Sequence, residues 1–325
     1  MKALNAMPEE IYDPHNIIKF SELPAMSYEK TCITIGNFDG VHLGHQAIIS
    51  QMVNQANSRG NPLIVITFFP NPFDYFNPQI NSFYLSTPEE KEALLLGLGV
   101  DHVLTFLFDQ DFANLKPEEF LSILKNKLAI KTLVVGEDFA LGKNRQGTIP
   151  VLREIGQNLS FKLKVLPSVE LGDKEISSTK VRKLLDDGNV GEAANFLGRY
   201  YGISGVVIQG SDRGAKIGLP TANILHWPKK KLPATGVYAT HVNLLGKSYQ
   251  GITNVGYRPT FENQTLPNIE THIFEFDEDI YGEKMALEFI EKIREEKKFS
   301  GVDAFLAQIE EDKAVARRIF KNEQK

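Results

Sequence analysis

The sequence predicts an α/β domain followed by a β domain: a parallel sheet covered by helices, then a small antiparallel β-barrel capped by a C-terminal helix. Three observations carry this. β-rich runs alternate with helical patterns through the first half, consecutive β-rich runs fill the second half, and a helical pattern closes the chain. A length of 325 residues agrees with two domains.

In the first half, strands are predicted at Thr31–Phe38, Leu63–Phe69, His102–Phe108, Thr132–Gly136 and Leu163–Val169. Between the first two, Ile48, Ile49, Met52, Val53 and Ala56 recur at helical spacing, and a further helix is predicted over Pro117–Leu128. Strict alternation argues for βαβ units, whose ligands bind beyond the carboxyl ends of the strands. After about Gly188 the pattern changes. A helical stretch at Val190–Leu197 leads to Gly198, and strands follow at Tyr201–Ile208, Gly236–Leu245, Ser248–Gly256, Ile269–Phe276 and Met285–Ile293. Ser300-Gly301-Val302-Asp303 announces the last helix, with Val302, Phe305, Leu306, Ile309, Ala316, Ile319 and Phe320 as its buried face. The expected domains are residues 1–187 and 188–325, with the boundary between Leu185 and Gly202.

Composition narrows the function classes. The chain is 42% hydrophobic and 24% charged, with a formal net charge of −5 that offers no global attraction for nucleic acid. The one dense basic run, Lys229-Lys230-Lys231, follows Trp227-Pro228 and reads as a solvated loop. The single cysteine, Cys32, excludes an internal disulfide and a cysteine-based zinc cluster. No secretory pattern opens the chain, and Gly97 and Gly99 interrupt the apolar run at Leu94-Leu95-Leu96. A reducing cytoplasm is expected, with neither nucleic acid nor membrane as a partner; the oligomeric state, homo-oligomer included, stays open.

The outstanding segment is Gly36-Asn37-Phe38-Asp39-Gly40-Val41-His42-Leu43-Gly44-His45. It joins a strand to an amphipathic helix, where free backbone N–H groups and the positive helix end suit a triphosphate. His42 and His45 can reach one ligand at the helix start, and Gly44 admits close backbone approach. Two imidazoles there can stabilise charge building on an α-phosphoryl group; the same spacing is also compatible with a metal, and a lone histidine at a helix start is commonly structural. No segment satisfies the G-x-x-x-x-G-K-[ST] spacing, and no G-x-G-x-x-G follows the first strand.

This segment resembles the His-x-Gly-His signature of the nucleotidyltransferase superfamily, and as GNFDGVHLGH it resembles bacterial bifunctional riboflavin kinase/FAD synthetases. Phe69-Pro70-Asn71-Pro72, Val135-Gly136-Glu137-Asp138-Phe139 and Ile176-Ser177-Ser178-Thr179 with Arg182 follow in the family's order. The resemblance implies a Rossmann-like nucleotidyltransferase sheet for the first half. It also implies ATP contacts from Gly36, Asn37, Phe38, Asp39, Gly40, Gly136, Asp138, Ser177, Ser178 and Thr179, with catalytic help from His42, His45 and Arg182. On sequence alone the Ser-Ser-Thr run is equally a helix cap, and Gly136 with Asp138 equally a turn. Pro70 and Pro72 belong to an aromatic segment, Phe68 to Phe76, that suits either a flavin pocket or core packing. Leu141 stands where the family often has an aromatic residue.

In the second half, Gly205, Gly210, Gly214 and Gly218 precede Leu219-Pro220-Thr221-Ala222-Asn223. The glycines fit phosphate approach or an ordinary hairpin loop. In an extended chain Thr221 and Asn223 point to one side, and two neutral oxygens suit Mg2+ that also binds substrate phosphates. Glu270 shares a largely apolar face with His272, Phe274 and Phe276, a costly position unless the carboxylate is paired or functional. A general base that takes a proton from an alcohol fits, and so does an ion pair.

These segments, with Thr253 to Phe261, Asp279-Ile280-Tyr281-Gly282 and Arg294 to Phe299, resemble the riboflavin kinase module in its order. The resemblance implies metal and ATP contacts at Thr221 and Asn223, ATP contacts at Gly210, Gly214 and Gly218, the base at Glu270 and a flavin contact at Arg294. Asp212-Arg213-Gly214-Ala215-Lys216 departs from the family's more Gly/Arg-rich loop. The expectation is therefore phosphorylation of riboflavin to FMN in the C-terminal domain and adenylylation of FMN to FAD in the N-terminal domain, with Mg-ATP in both. A single active module, or a non-catalytic flavin- or nucleotide-binding regulator, is the alternative.

Overall fold

The computed structural model describes residues 16–78, 83–167, 170–171, 174–210, 219–259 and 265–323. Gly214, Gly218 and the Thr260-Phe261 end of the kinase-like motif lie outside them. The described residues form two compact units, one ending at Ser178 and the other starting at Thr179.

The first unit is a six-stranded sheet in the order β1-β4-β3-β2-β5-β6. Its strands are β1 (Ile17–Ile18), β2 (Thr31–Ile35), β3 (Leu63–Phe69), β4 (His102–Leu107), β5 (Ile130–Gly136) and β6 (Lys162–Leu166). Every pairing is parallel. The helices are α1 (Leu43–Asn57), α2 (Pro72–Phe76), α3 (Pro88–Gly97), α4 (Gln110–Asn114), α5 (Pro117–Leu128) and α6 (Ile149–Asn158). Both faces of the sheet are covered, which is why its strands read as continuous apolar runs. Ile33, Ile35, Ile64 and Ile66 pack with Leu121 and Leu124 of α5 and Leu152 of α6. Cys32, Leu63 and Val65 pack with Ile49 and Met52 of α1 and Leu95 of α3. A short hairpin, β7 (Glu170–Leu171) with β8 (Lys174–Glu175), precedes α7 (Ser178–Asp186).

The second unit contains α8 (Val190–Leu197), a closed barrel and α9 (Val302–Glu323). The barrel strands are β9 (Tyr201–Ile208), β10 (Ala222–His226), β11 (Gly236–Leu244), β12 (Lys247–Pro259), β13 (Thr265–Ile273) and β14 (Lys284–Arg294). Their order around the barrel is β10-β13-β12-β11-β14-β9, all antiparallel. Closure removes the sheet edges that such short strands would otherwise expose. Ile309, Ala316 and Phe320 of α9 pack on Ala239, Ile252 and Phe274, so the last helix caps the barrel.

Four expectations need correction. β2 stops at Ile35 rather than Phe38, because Phe38 adopts a left-handed φ of 47°. β13 stops at Ile273, and Glu275 turns the chain with a φ of 53°, so Phe276 leaves the face of Glu270. Val302 is 53% exposed and contributes nothing to the buried face of α9. The triple lysine is not a solvated loop: Lys230 is 3% exposed with its ammonium 5.1 Å over the Tyr201 ring, and Lys231 pairs with Asp186.

Candidate active sites

The loop after β2 builds the first site at the carboxyl edge of the parallel sheet. From β2 the chain moves through β3 and β4 on one side and returns to β5 on the other, so this loop lies where strand order reverses. Phe38 and Val41 hold left-handed φ angles of 47° and 40°, each costing about 1–2 kcal/mol. Such strain persists only where the surroundings enforce it. Asp39 does so. Its buried carboxylate accepts the backbone N–H groups of Leu85 at 3.0 Å and Ser86 at 3.2 Å, and Gly40 N donates to Ser86 Oγ at 3.0 Å. The Asp39 side chain is therefore a tie, while its carbonyl accepts from Ser178 Oγ at 2.9 Å.

His42 is the N-cap of α1, and its Nδ1 accepts the backbone N–H of His45 at 3.3 Å. The His42 and His45 rings stack with centroids 3.7 Å apart and 16° between planes. Gly44 permits this: a Cβ there would come within 3.2 Å of the His42 ring. The His45 ring meets Phe38 at 5.2 Å, and its Nδ1 is shut off from solvent with no hydrogen-bond partner among the described residues. Burial, then the neighbouring His42 and Lys91 charges, hold His45 well below the usual imidazole range. These groups line a cavity of ≈ 400 Å³ with Asn37, Ile176, Ser177 and Ser178. Imidazole and helix-end N–H groups facing such a space suit an anion.

Not every expected residue joins that cavity. Gly136, at the end of β5, and Asp138 are exposed and lie outside its lining; a Cβ on Gly136 would meet nothing within 4 Å. Pro70 and Pro72 flank Asn71, whose Oδ1 caps α2 through Phe73 N at 2.9 Å. Core packing accounts for Phe68, but Phe73 and Phe76 are 51% and 66% exposed. Thr179 and half-buried Arg182 follow on α7 and belong to the second unit.

The second site is a row across three barrel strands. Glu270 of β13 stands in register with Asn223 of β10 on one side and Asn254 of β12 on the other. Residues paired in register share a face, so two amides flank the half-buried carboxylate. Glu270, Asn254, Thr221 and Arg294 line a cavity of ≈ 290 Å³ together with His272, Glu296 and Lys297, and its apolar wall includes Leu219, Phe299 and Phe305. A second cavity of ≈ 300 Å³ is lined by Pro220, Thr221, Thr271, Phe276 and Tyr281. Thr221 lines both. Asn223 is buried, and a Cβ on Gly210 would fall 2.2 Å from its Nδ2, so only glycine fits against that amide.

Arg294 is a held cation. Its Nε and Nη2 donate to the buried Asp312 of α9 at 2.8 and 2.7 Å, and its Nη1 donates to Glu295 O at 2.9 Å. His272 Nδ1 donates to Pro220 O at 2.9 Å and so ties the segment carrying Thr221 to β13. The sequence reading gave no role to His272, Asn254 or Asp312. Asn254 was findable from the predicted antiparallel pairing, but its register with Glu270 requires the strand ends, which sequence places poorly.

Comparison with known proteins follows the same division. Residues 25–180 match the FAD synthetase family model and residues 197–320 the riboflavin kinase model. The bifunctional riboflavin kinase/FMN adenylyltransferase of Bacillus subtilis (strain 168) is 36% identical over 317 residues, covering 96% of this chain and 98% of the relative. The chain belongs to the bifunctional riboflavin kinase/FMN adenylyltransferase family. The enzyme of the same description from Pseudomonas fluorescens is 36% identical over 287 residues, 88% of this chain and 92% of the relative. A crystal structure described as a macrolide-efflux protein from Streptococcus pneumoniae superposes with a TM-score of 0.82 at 31% identity, covering 90% of this chain and 95% of that one. Among the described residues of the present enzyme, no helix is long and apolar enough to cross a membrane. The family is a transferase with two ATP-dependent activities, riboflavin phosphorylation and FMN adenylylation.

Proposed function

We propose that riboflavin is phosphorylated in the Glu270 cavity and that FMN is adenylylated at the His42–His45 pocket. The observation that carries the first assignment is Thr221, which opens onto both the cavity of Glu270 and the neighbouring one. A flavin among the apolar wall residues would present its ribityl hydroxyl to Glu270, while a nucleotide in the adjoining cavity would bring its γ-phosphate to Thr221. Glu270 takes the 5′-hydroxyl proton as the oxygen bonds to Pγ; the bond from Pγ to the β,γ-bridging oxygen breaks, and ADP leaves. Arg294, oriented by Asp312, contacts the flavin. Gly210, Gly214, Gly218, Thr221 and Asn223 contact ATP.

Mg2+ is the cation we assign to this site. The donor set fits an ion that arrives with the triphosphate: Thr221 and Asn223 offer neutral oxygens, and the described residues contain no cluster of His, Cys, Asp and Glu that holds a metal alone. Thr221 and Asn223 would hold it, and it would supply neutralisation of phosphate charge.

In the first unit, a phosphate oxygen of FMN attacks Pα of ATP. The bond from Pα to the α,β-bridging oxygen breaks and pyrophosphate leaves, without a covalent enzyme intermediate. His42 presents Nε2–H, since Nδ1 is occupied by its backbone cap, and His45 stabilises the charge that builds at Pα. Gly36, Asn37, Phe38, Asp39, Gly40, Gly136, Asp138, Ser177, Ser178 and Thr179 contact ATP, with Arg182 assisting; Pro70 and Pro72 contact the flavin. We assign residues 1–187 to adenylylation and 188–325 to phosphorylation, in a cytoplasmic enzyme. In the full-length enzyme, Glu270→Gln is expected to lower FMN formation by about 10²–10⁴ and His45→Ala to lower FAD formation by about 10²–10³, read by chromatography of flavins. Loss of both activities in either variant, in a folded protein, overturns the assignment.

A further inference from the structure

Lys91 of α3 is 7% exposed, on the side of the helix that carries fully buried Leu95 one turn later. Lysine is almost never buried unless its ammonium is paired or functional. Here the partners are neutral. Nζ donates to Thr67 Oγ1 at 2.8 Å and to the Asn37 carbonyl at 3.2 Å. Asp39, the acid whose charge acts on it, directs its carboxylate to the backbone N–H groups of Leu85 and Ser86. Of the acids beside Lys91 on α3, Glu90 turns back to Thr87 N and Glu92 takes a hydrogen bond from Asn16.

Nothing in the local hydrogen bonding requires a charge at this point. Thr67 Oγ1 itself donates to Asn37 O at 3.2 Å, so that carbonyl keeps a donor if the ammonium is removed. Burial of the ammonium costs folding free energy, and brings its pKa down to about 8. Asn37 also lines the cavity of His42 and His45. The ammonium therefore stands against a residue of that cavity's wall, and its charge helps to hold the His45 pKa down.

We propose that Lys91 is a positioning residue for adenylyl transfer, supplying a positive charge behind the triphosphate-facing loop through its contact with the Asn37 carbonyl. The inference rests on the reading of the His42–His45 pocket as the adenylylation site. A cation one layer behind bound phosphates acts through preorganised electrostatics and does not touch the reacting atoms.

The test uses full-length Lys91→Met beside the wild type and His45→Ala. Lys91→Met is expected to melt no lower than the wild type, because a buried charge is lost. Its kcat for FAD formation is expected to fall about tenfold to a hundredfold, with riboflavin phosphorylation unchanged. In the wild type, kcat/KM for adenylylation is expected to decline as pH rises through about 8, where the Lys91 ammonium deprotonates. Lys91→Met lacks that decline, and so does Lys91→Arg, which keeps an untitrated charge and recovers part of the rate. A Lys91→Met enzyme with wild-type kcat and the same alkaline decline overturns the inference while leaving the site reading intact if His45→Ala is inactive. A His45→Ala enzyme that still makes FAD at the wild-type rate overturns the site reading itself. Should Lys91→Met melt well below the wild type, Lys91→Arg decides: an alkaline decline that persists there overturns the proposal.

Discussion

His42 spends its Nδ1 on the backbone N–H of His45, so its neutral ring carries the proton on Nε2. His45 is the softer of the two to read from sequence, because its behaviour depends on what buries it. Burial, then the His42 and Lys91 charges, all oppose a positive charge on its imidazole and hold it neutral well below the ordinary imidazole range. Its folded pKa is depressed, so protonation begins only at lower pH. The acid limb of kcat/KM for adenylylation is therefore expected below 6.5; a half-maximal loss at 6.5 or above contradicts this. At this scale the motif residues were visible as residue types, and their supports were not. Lys91 sits in Pro88-Glu89-Glu90-Lys91-Glu92, which looks like a solvated helix start. The available signal was its spacing, three before Leu94 and four before Leu95, which puts it on the apolar face.

Elements were legible where a single period ran uninterrupted. β3 at Leu63–Phe69 and α5 at Pro117–Leu128 appear with the boundaries that apolar patterning predicts. β10, Ala222–His226, escaped as a strand because it is short and sits between a motif read for its chemistry and a Trp-Pro turn. The end of β13 was misplaced because Phe274 and Phe276 continue the alternation past the residue at which the backbone turns. α9 shows the limit of periodicity from the other side. Asp312 is 1% exposed on its inner face, accepting from Arg294 and Gln308. No hydrophobic pattern announces such a residue. Asp312→Ala leaves the Arg294 guanidinium without its partner, and is expected to destabilise the barrel unit by about 3 kcal/mol. Chemical denaturation should show the lower midpoint, and riboflavin phosphorylation should fail before FMN adenylylation does. An unchanged midpoint with full kinase activity would mean that α9 does not depend on the pair.

At the scale of the whole molecule, each of the two compact units holds candidate chemistry of its own. Among the described residues, the pocket of His42 and His45 is lined by residues up to Ser178, and both barrel cavities by residues beyond Thr179. The change of architecture was visible in the sequence as a change from alternating to consecutive strands, because parallel and antiparallel sheets require different connections. Which strands become neighbours was not visible, since barrel closure joins β9 to β10 and β14 at distances in sequence that no local pattern records. The central claim is that the two sites work independently. Mixing equal amounts of full-length Glu270→Gln and His45→Ala with riboflavin and Mg-ATP tests it most directly. The account predicts that neither variant alone converts riboflavin to FAD, and that the mixture does, as FMN made by His45→Ala reaches the intact adenylylation site of Glu270→Gln. A mixture in which FMN accumulates and no FAD forms would contradict it.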